Sequence, residues 1–204
     1  MEYLVLGFFT GLSLILAIGA QNIFVIEQGL KKQYVFLVCL ICSLSDLLLI
    51  FLGIFLFHFF HQYFNLFVEL TLNILLIIFL IYFIYSKIKY FKKEISFDSE
   101  VKDISKIEIL FKTLGFTYLN AHVYSDTVFF LGNFSKNFLL EEKIYFGIGA
   151  STASFIFFFL LGYLSTFFSK YSQNDKVWKF INLFIIVFMS LLTIYIINEI
   201  AYFL

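Results

Sequence analysis

The 204-residue chain contains no proline and no arginine, and its only cysteines are Cys39 and Cys42. Two cysteines do not make the disulfide framework of a small secreted domain. The sequence also lacks a phosphate-binding loop, a zinc-protease motif, a nucleophile elbow and a dinucleotide fingerprint. We therefore expect no enzyme activity, no cofactor, no resident metal, no nucleic-acid partner and no built-in use of ATP.

Apolar residues make up 62% of the sequence and aromatic residues 23%, and the mean hydropathy is +0.96. A soluble domain of this size could not bury so much apolar surface in one core, whereas a lipid bilayer solvates it directly. A spanning helix needs about 20 apolar residues. The stretches that qualify are residues 3–26, 34–57, 64–86, 109–133, 143–168 and 177–202. Because lipid offers no partner to an open strand edge, we predict an all-α integral membrane protein with six transmembrane helices.

The lysines predict how the chain is oriented. Twelve of the fourteen lie in or beside the first, third and fifth connections, and only Lys136 and Lys143 lie on the other side. The positive-inside rule then places these three connections in the cytoplasm and both termini outside. If the second or third stretch lies in the membrane interface, the chain has five spans and its N-terminus is inside.

A basic, polar connection at 87–108 divides the chain into two halves, 1–86 and 109–204. Halves with three spans each enter the membrane in opposite senses, which is the arrangement of an inverted repeat. We therefore predict one membrane domain over 1–204, with a substrate site near the midplane where the halves meet.

Two aspartates, Asp46 and Asp126, lie deep inside apolar stretches. Moving a carboxylate into hydrocarbon costs about 2.5–3.5 kcal/mol on insertion scales. The chain offers no arginine and no mid-span lysine to neutralise Asp46, so this group must bind a mobile cation or take up a proton. The static alternative is a hydrogen bond from a serine or an amide of a neighbouring helix. We predict that both aspartates face one cavity that serves a cation, a proton or both.

Each half opens with an apolar stretch that a polar patch interrupts: Gly19-Ala20-Gln21-Asn22 in the first and Asn120-Ala121-His122 in the second. Buried carboxamides need internal partners or a hydrated cavity. His122 and Asp126 are four residues apart on a helix, so they could relay a proton or form a static hydrogen bond. The further candidate site residues of these patches are Gln21, Asn22, Asn120 and Tyr124.

Small residues mark predicted packing seams. Gly7 and Gly11 form a G-x-x-x-G in the first span, and such residues let helix backbones approach closely in lipid. In the fifth span, Gly147, Ser151 and Ser154 share one side, and Ser154 is a candidate ligand contact.

Four segments together resemble the signature stretches of the lysine/arginine exporter family, in the same order: LSLILAIGAQNIFVIEQGLKK, SLSDLLLI, LNAHVYSDTVFFLG and KVWKFIN. The resemblance implies a secondary transporter of the bacterial inner membrane that exports L-lysine and L-arginine, driven by the proton gradient and the membrane potential. The residues that it maps onto family motifs are Gln21, Asn22, Asp46, Asn120, His122, Tyr124 and Asp126.

The chain departs from the family pattern at Ala20 and Ala121, where the family usually has proline. Proline kinks a span and releases a carbonyl group, whereas alanine favours an unbroken helix. Either Gly19 and the local amides keep these helices broken, or the helices are straighter here.

Other functions stay open on the sequence alone. The same fold could export a neutral amino acid, or a metal cation bound by Cys42, Asp46, His122 and Asp126. Cys39 and Cys42 could instead form a membrane thiol relay. The expected partners are a basic amino acid, protons and the lipid bilayer, and a homo-oligomer is open.

Overall fold

The computed structural model describes residues 1–16, 19–63, 66–92, 104–172 and 175–203. Every regular element in these ranges is helical. The helices are α1 (Glu2–Ile15), α2 (Ala20–Lys31), α3 (Val35–Tyr63), α4 (Leu66–Lys92), α5 (Lys106–Tyr118), α6 (Ala121–Tyr124), a π-helical turn (Ser125–Phe130), α7 (Leu131–Phe134), α8 (Leu140–Ser172) and α9 (Asp175–Phe203).

Three helices in the described ranges are long and apolar enough to cross a membrane: Val35–Phe57, Leu140–Lys170 and Lys179–Asn198. They correspond to the predicted second, fifth and sixth spans. The pair α1 and α2 makes a fourth candidate if it is one bent span, while α4 contains a shorter apolar segment, Asn73–Tyr85. The fold is therefore all-helical with three to four candidate spans, and six spans remain a prediction.

The first and fourth predicted spans are not continuous helices. The helix predicted over 3–26 is divided into α1 and α2, which meet at an angle of 83°. The stretch 109–133 is divided among α5, α6, the π-helical turn and α7. The boundary of the polar connection also differs from 87–108, because α4 continues to Lys92 and α5 begins at Lys106.

Side-chain hydrogen bonds connect the two segments of each broken helix. The Asn22 amide donates to the Ile15 carbonyl at 3.1 Å, and the Tyr124 hydroxyl donates to the Tyr118 carbonyl at 2.9 Å. The last carbonyl groups of a helix receive no hydrogen bond from an N–H group of the same helix, so they need donors from elsewhere. Local polar groups therefore connect the segments at both breaks in a chain that contains no proline.

The G-x-x-x-G of α1 forms a packing seam, as predicted, and the helix that it contacts is α8. A Cβ atom on Gly7 would overlap the backbone carbonyl of Phe146, and one on Gly11 would lie 2.9 Å from the Cα of Ala150. Side chains larger than glycine would therefore separate these two helices.

The contacts between the halves occur in matched pairs. Helices α1 and α2 pack on α8, and α5, the π-helical turn and α7 pack on α3. In addition, α3 contacts α8, and α4 contacts α9. Each broken helix therefore packs on the first unbroken helix of the other half.

Candidate functional site

A cavity of about 370 Å³ lies where α1, α2 and α3 meet the broken helix of the second half. This volume falls in the range of about 300–1,000 Å³ that is common for small-molecule sites. Its polar lining comprises Gln21, Asn22, Asp46, Asn120, Asp126 and Thr127. The structure thus brings five of the seven candidate site residues, including both aspartates, to one cavity.

Asp46 is 3% exposed, and its Oδ2 accepts a hydrogen bond of 2.7 Å from the Ser154 hydroxyl of α8. This bond is of the kind that the static alternative required. It does not neutralise the carboxylate, however, and Asp126 lies close enough for the two acidic groups to interact electrostatically. The site therefore combines a positioned carboxylate with a second acidic group that lines the same cavity.

Close packing around two glycines brings the aspartates together. Gly53 lies two helical turns after Asp46 on α3, and a Cβ atom there would be 2.6 Å from the Cα of Val128. A Cβ on Gly132 would likewise lie 2.6 Å from the Gly53 carbonyl oxygen. The backbone of α3 therefore lies directly against the π-helical turn, which contains Asp126. Single π-helical turns in proteins are frequent at functional sites.

Asn22 and Gln21, the two neighbouring carboxamides of α2, differ in their hydrogen bonding. Asn22 donates to Ile15 across the helix break, so it has a structural role beside its place in the cavity wall. Gln21 is 6% exposed, lines the cavity and has a side-chain nitrogen with no hydrogen-bond partner in the described part of the chain. Its amide lies beside the Cys42 thiol without good hydrogen-bonding geometry.

The remaining candidates from the second polar patch are placed differently. Asn120 is buried and lines the cavity, whereas Tyr124 is not part of its lining and bonds to Tyr118 across the helix break. His122 lies on α6, but its side chain is outside the described ones. The proposed relay between His122 and Asp126 therefore stays a prediction, and the π-helical turn that begins at Ser125 changes the spacing on which it was based.

The two cysteines are fully buried on α3, and neither forms a disulfide. The Cys39 thiol donates to the Phe158 carbonyl at 3.2 Å, and a Cβ on Gly162 would lie 2.5 Å from the Cys39 sulfur. Thiol exchange needs an accessible sulfur, so this environment favours packing over a relay. Within the described residues, no three His, Cys, Asp or Glu side chains are grouped so as to hold a metal ion.

The sequence allowed a serine partner for Asp46 but did not identify it as Ser154, which lies 108 positions away. The contribution of the N-terminus of α2 to the cavity lining had one signal in the sequence: Gly19 at the start of the polar patch.

Comparisons with known proteins extend this description. The family model of the LysE type translocators matches residues 12–199. The arginine exporter protein ArgO of Pectobacterium carotovorum subsp. carotovorum (strain PC1) is 34% identical over 184 residues, which are 90% of this chain and 90% of that protein. The protein of the same name from Salmonella typhimurium (strain LT2) is 31% identical over 200 residues, 98% of this chain and 95% of that protein. No solved structure matches the chain.

These matches cover most of the chain and confirm the resemblance that the sequence motifs suggested. A family of translocators is a family of membrane transporters and not of enzymes, in agreement with the apolar helices. The chain therefore belongs to the LysE type translocator family.

Proposed function

We propose that this protein is a secondary transporter that exports basic L-amino acids, arginine or lysine, from the cytoplasm. The observation that carries the proposal is the placement of Asp46 and Asp126 on one cavity. Relatives that match nearly the whole chain are named arginine exporters, which supports a cationic amino acid as the substrate.

In this proposal the cationic side chain of the substrate lies between the two aspartates. Two carboxylates in a poorly hydrated site repel each other when both are charged, so the pair favours a bound cation or a proton. The described cavity lining contains no lysine that could supply the positive charge internally. A substrate that leaves the site is replaced by a proton, which couples export to the proton gradient and the membrane potential.

The same proposal includes the six-span topology in the bacterial inner membrane, with both termini outside and halves 1–86 and 109–204. The matched contacts between the halves support an inverted repeat. Alternating access then consists of movement of the two halves about the cavity between them.

Transport into inside-out vesicles tests the proposal, because export from the cell becomes uptake of labelled arginine. Asp46→Asn and Asp126→Asn should each lower the rate at limiting arginine by at least about thirtyfold, since a buried charge contact is lost. Glu141→Gln changes an exposed carboxylate outside the cavity and should transport normally. Unlabelled lysine should compete, whereas threonine and divalent metal ions should not. Normal arginine transport by Asp46→Asn protein, present at normal level in the membrane, would contradict the proposal.

A further inference from the structure

Helix α2 runs from the cavity to the end of the protein that the lysine distribution assigns to the cytoplasm. Its first residues, Ala20, Gln21 and Asn22, line the cavity. Its last residue, Lys31, lies about 16 Å farther along the helix axis at a rise of 1.5 Å per residue. A substrate that enters from the cytoplasm therefore approaches the cavity from the C-terminal end of α2.

The C-terminal half of α2 is polar and buried. Glu27 and Lys31 form an ion pair at 2.7 Å in which each side chain is 2% exposed, and Gln28 is buried beside them in the sequence. Charged side chains inside a membrane protein face its interior or a hydrated cavity, and they mark routes for ions and polar substrates. Because both charges belong to α2, this helix keeps its countercharge when it moves. These features are typical of a polar route and not of a lipid-facing wall.

Backbone packing closes the space beside this half of α2. A Cβ atom on Gly29 would lie 2.5 Å from the Gly162 carbonyl oxygen of α8. A Cβ atom on Gly162 would in turn lie 2.5 Å from the Cys39 sulfur of α3. Helices α2, α3 and α8 therefore leave no room for a further side chain between them at this level. Glycines allow such a close approach of two backbones, and the contact has no interlocking side chains that would hinder its separation.

A matching contact lies on the other side of the cavity. The cavity residues Asp46 and Ile50 lie in the middle of α3. Cys39 precedes them and Gly53 follows them, about 21 Å apart along the helix axis. The Gly53 carbonyl oxygen lies against Gly132 of α7. In each contact the later segment of a broken helix meets an unbroken helix of the other half, and the cavity lies between the two contacts.

Both ends of α2 are joints in the backbone. At its start, α1 and α2 meet at an angle of 83°. Directly after its end, Lys32 and Tyr34 have left-handed backbones, with φ 55° and 47°. Residues other than glycine rarely adopt this conformation, and it is concentrated at functional sites and switch regions. A short, buried helix between two such joints is suited to move as a unit.

We propose that α2 is the cytoplasmic gate of the transporter, and that its separation from α8 at Gly29 and Gly162 admits the substrate to the cavity. Closing of this contact traps the substrate beside the two aspartates, and opening of the contact at Gly53 releases it outside. The gate rests on the proposed function, which supplies the substrate and the orientation, and it adds which segment moves.

Cys39 reports the state of the gate, because its sulfur lies at the contact and is fully buried. Labelling is measured on full-length Cys42→Ser protein, in which Cys39 is the only thiol, in inside-out and right-side-out vesicles. The reagent is trimethylammonioethyl methanethiosulfonate, a membrane-impermeant cation that resembles the substrate in charge. We expect Cys39 to be modified from the cytoplasmic face and not from the outer face. Protein with Cys39→Ser added gives the background.

Two glycine substitutions distinguish a gate from a general loosening of the fold. Gly29→Ala places a methyl group against the Gly162 carbonyl and so opposes the closed contact alone. Labelling of Cys39 from the cytoplasmic face should therefore rise at least about fivefold. Gly53→Ala is the matched control, because its Cβ would lie 2.6 Å from the Cα of Val128 on the other side of the cavity. It should not raise this labelling.

The outcomes separate the gate from the proposed function. Cys39 that stays unreactive from both faces, in vesicles that transport arginine, would overturn the gate alone, as would an equal rise in Gly29→Ala and Gly53→Ala. Labelling from the outer face alone would also overturn it. The Cys42→Ser protein decides these points even if Gly29→Ala does not reach the membrane. An absence of arginine transport by the wild type contradicts the proposed function whatever the labelling.

Discussion

Replacing Ala20 by proline tests how this chain forms its first broken helix. Ala20 is the first residue of α2, where the backbone N–H has no partner within the helix and proline is well tolerated. The preceding residue, Gly19, has the extended backbone that a following proline requires. Ala20 is fully buried at the border of the cavity, so the case for proline rests on the backbone geometry. The structure therefore predicts that the change is compatible with the native fold.

The expected size of the effect follows from this geometry. Proline at a compatible position stabilises a protein by about 0.4–1 kcal/mol because it restricts the unfolded chain, which corresponds to a melting temperature about 1–4 °C higher for a chain of this length. Ile26→Pro, in the interior of α2, should instead cost about 3 kcal/mol and lower the melting temperature by about 6–12 °C.

Thermal unfolding of the purified protein in detergent, followed by intrinsic fluorescence, measures both changes. Vesicle transport by Ala20→Pro should stay near the wild-type rate. A loss of stability in Ala20→Pro as large as that in Ile26→Pro would refute the reasoning, because α2 would then not begin at Ala20.

Two further predictions concern buried polar contacts. Ser154→Ala removes the 2.7 Å bond to Asp46 and should weaken arginine binding about tenfold, as expected for a hydrogen bond to a charged group. Ser190→Ala is the matched control, because the Ser190 hydroxyl donates to the Ile186 carbonyl of its own helix, and it should have no effect in the same binding assay. The ion pair between Lys31 and Glu27 joins side chains that are each 2% exposed, at 2.7 Å. Lys31→Met should therefore destabilise the protein by about 3–5 kcal/mol, and adding Glu27→Gln should restore most of that loss in denaturant or thermal unfolding. A double variant no more stable than the single one would show that the pair is not the cause.

Much of the site follows from single-residue chemistry and could be predicted from the sequence. Asp46 and Asp126 stand out because charged groups in apolar stretches are costly, and the predicted shared cavity is the one that both residues line. The polar patches at Gln21 and Asn120 marked the breaks in the two helices for the same reason. These inferences needed only composition and position along the chain.

The shape of the broken helices could not be predicted in this way. Ala20 and Ala121 favour continuous helices by their propensity, and the apolar pattern of a bent span is the same as that of a straight one. The break depends instead on contacts that form only in the folded chain, such as the bond from Asn22 to Ile15.

The π-helical turn and the Asp46 environment depend on tertiary contacts in the same manner. The approach of Gly53 to Val128 places α3 against the turn, and the bond from Ser154 reaches Asp46 from a helix far away in sequence. Neither contact can be recognised from the spacing of residues along the sequence.

A double-mutant cycle of arginine binding tests the central claim most directly, namely that Asp46 and Asp126 act on one bound cation. Arginine affinity is measured on purified wild type, Asp46→Asn, Asp126→Asn and the double variant. We predict that each single variant loses about thirtyfold or more in affinity and that the two losses are not additive, with a coupling of at least about 0.5 kcal/mol. Additive losses, or either single variant binding arginine like the wild type, would contradict a shared cation site.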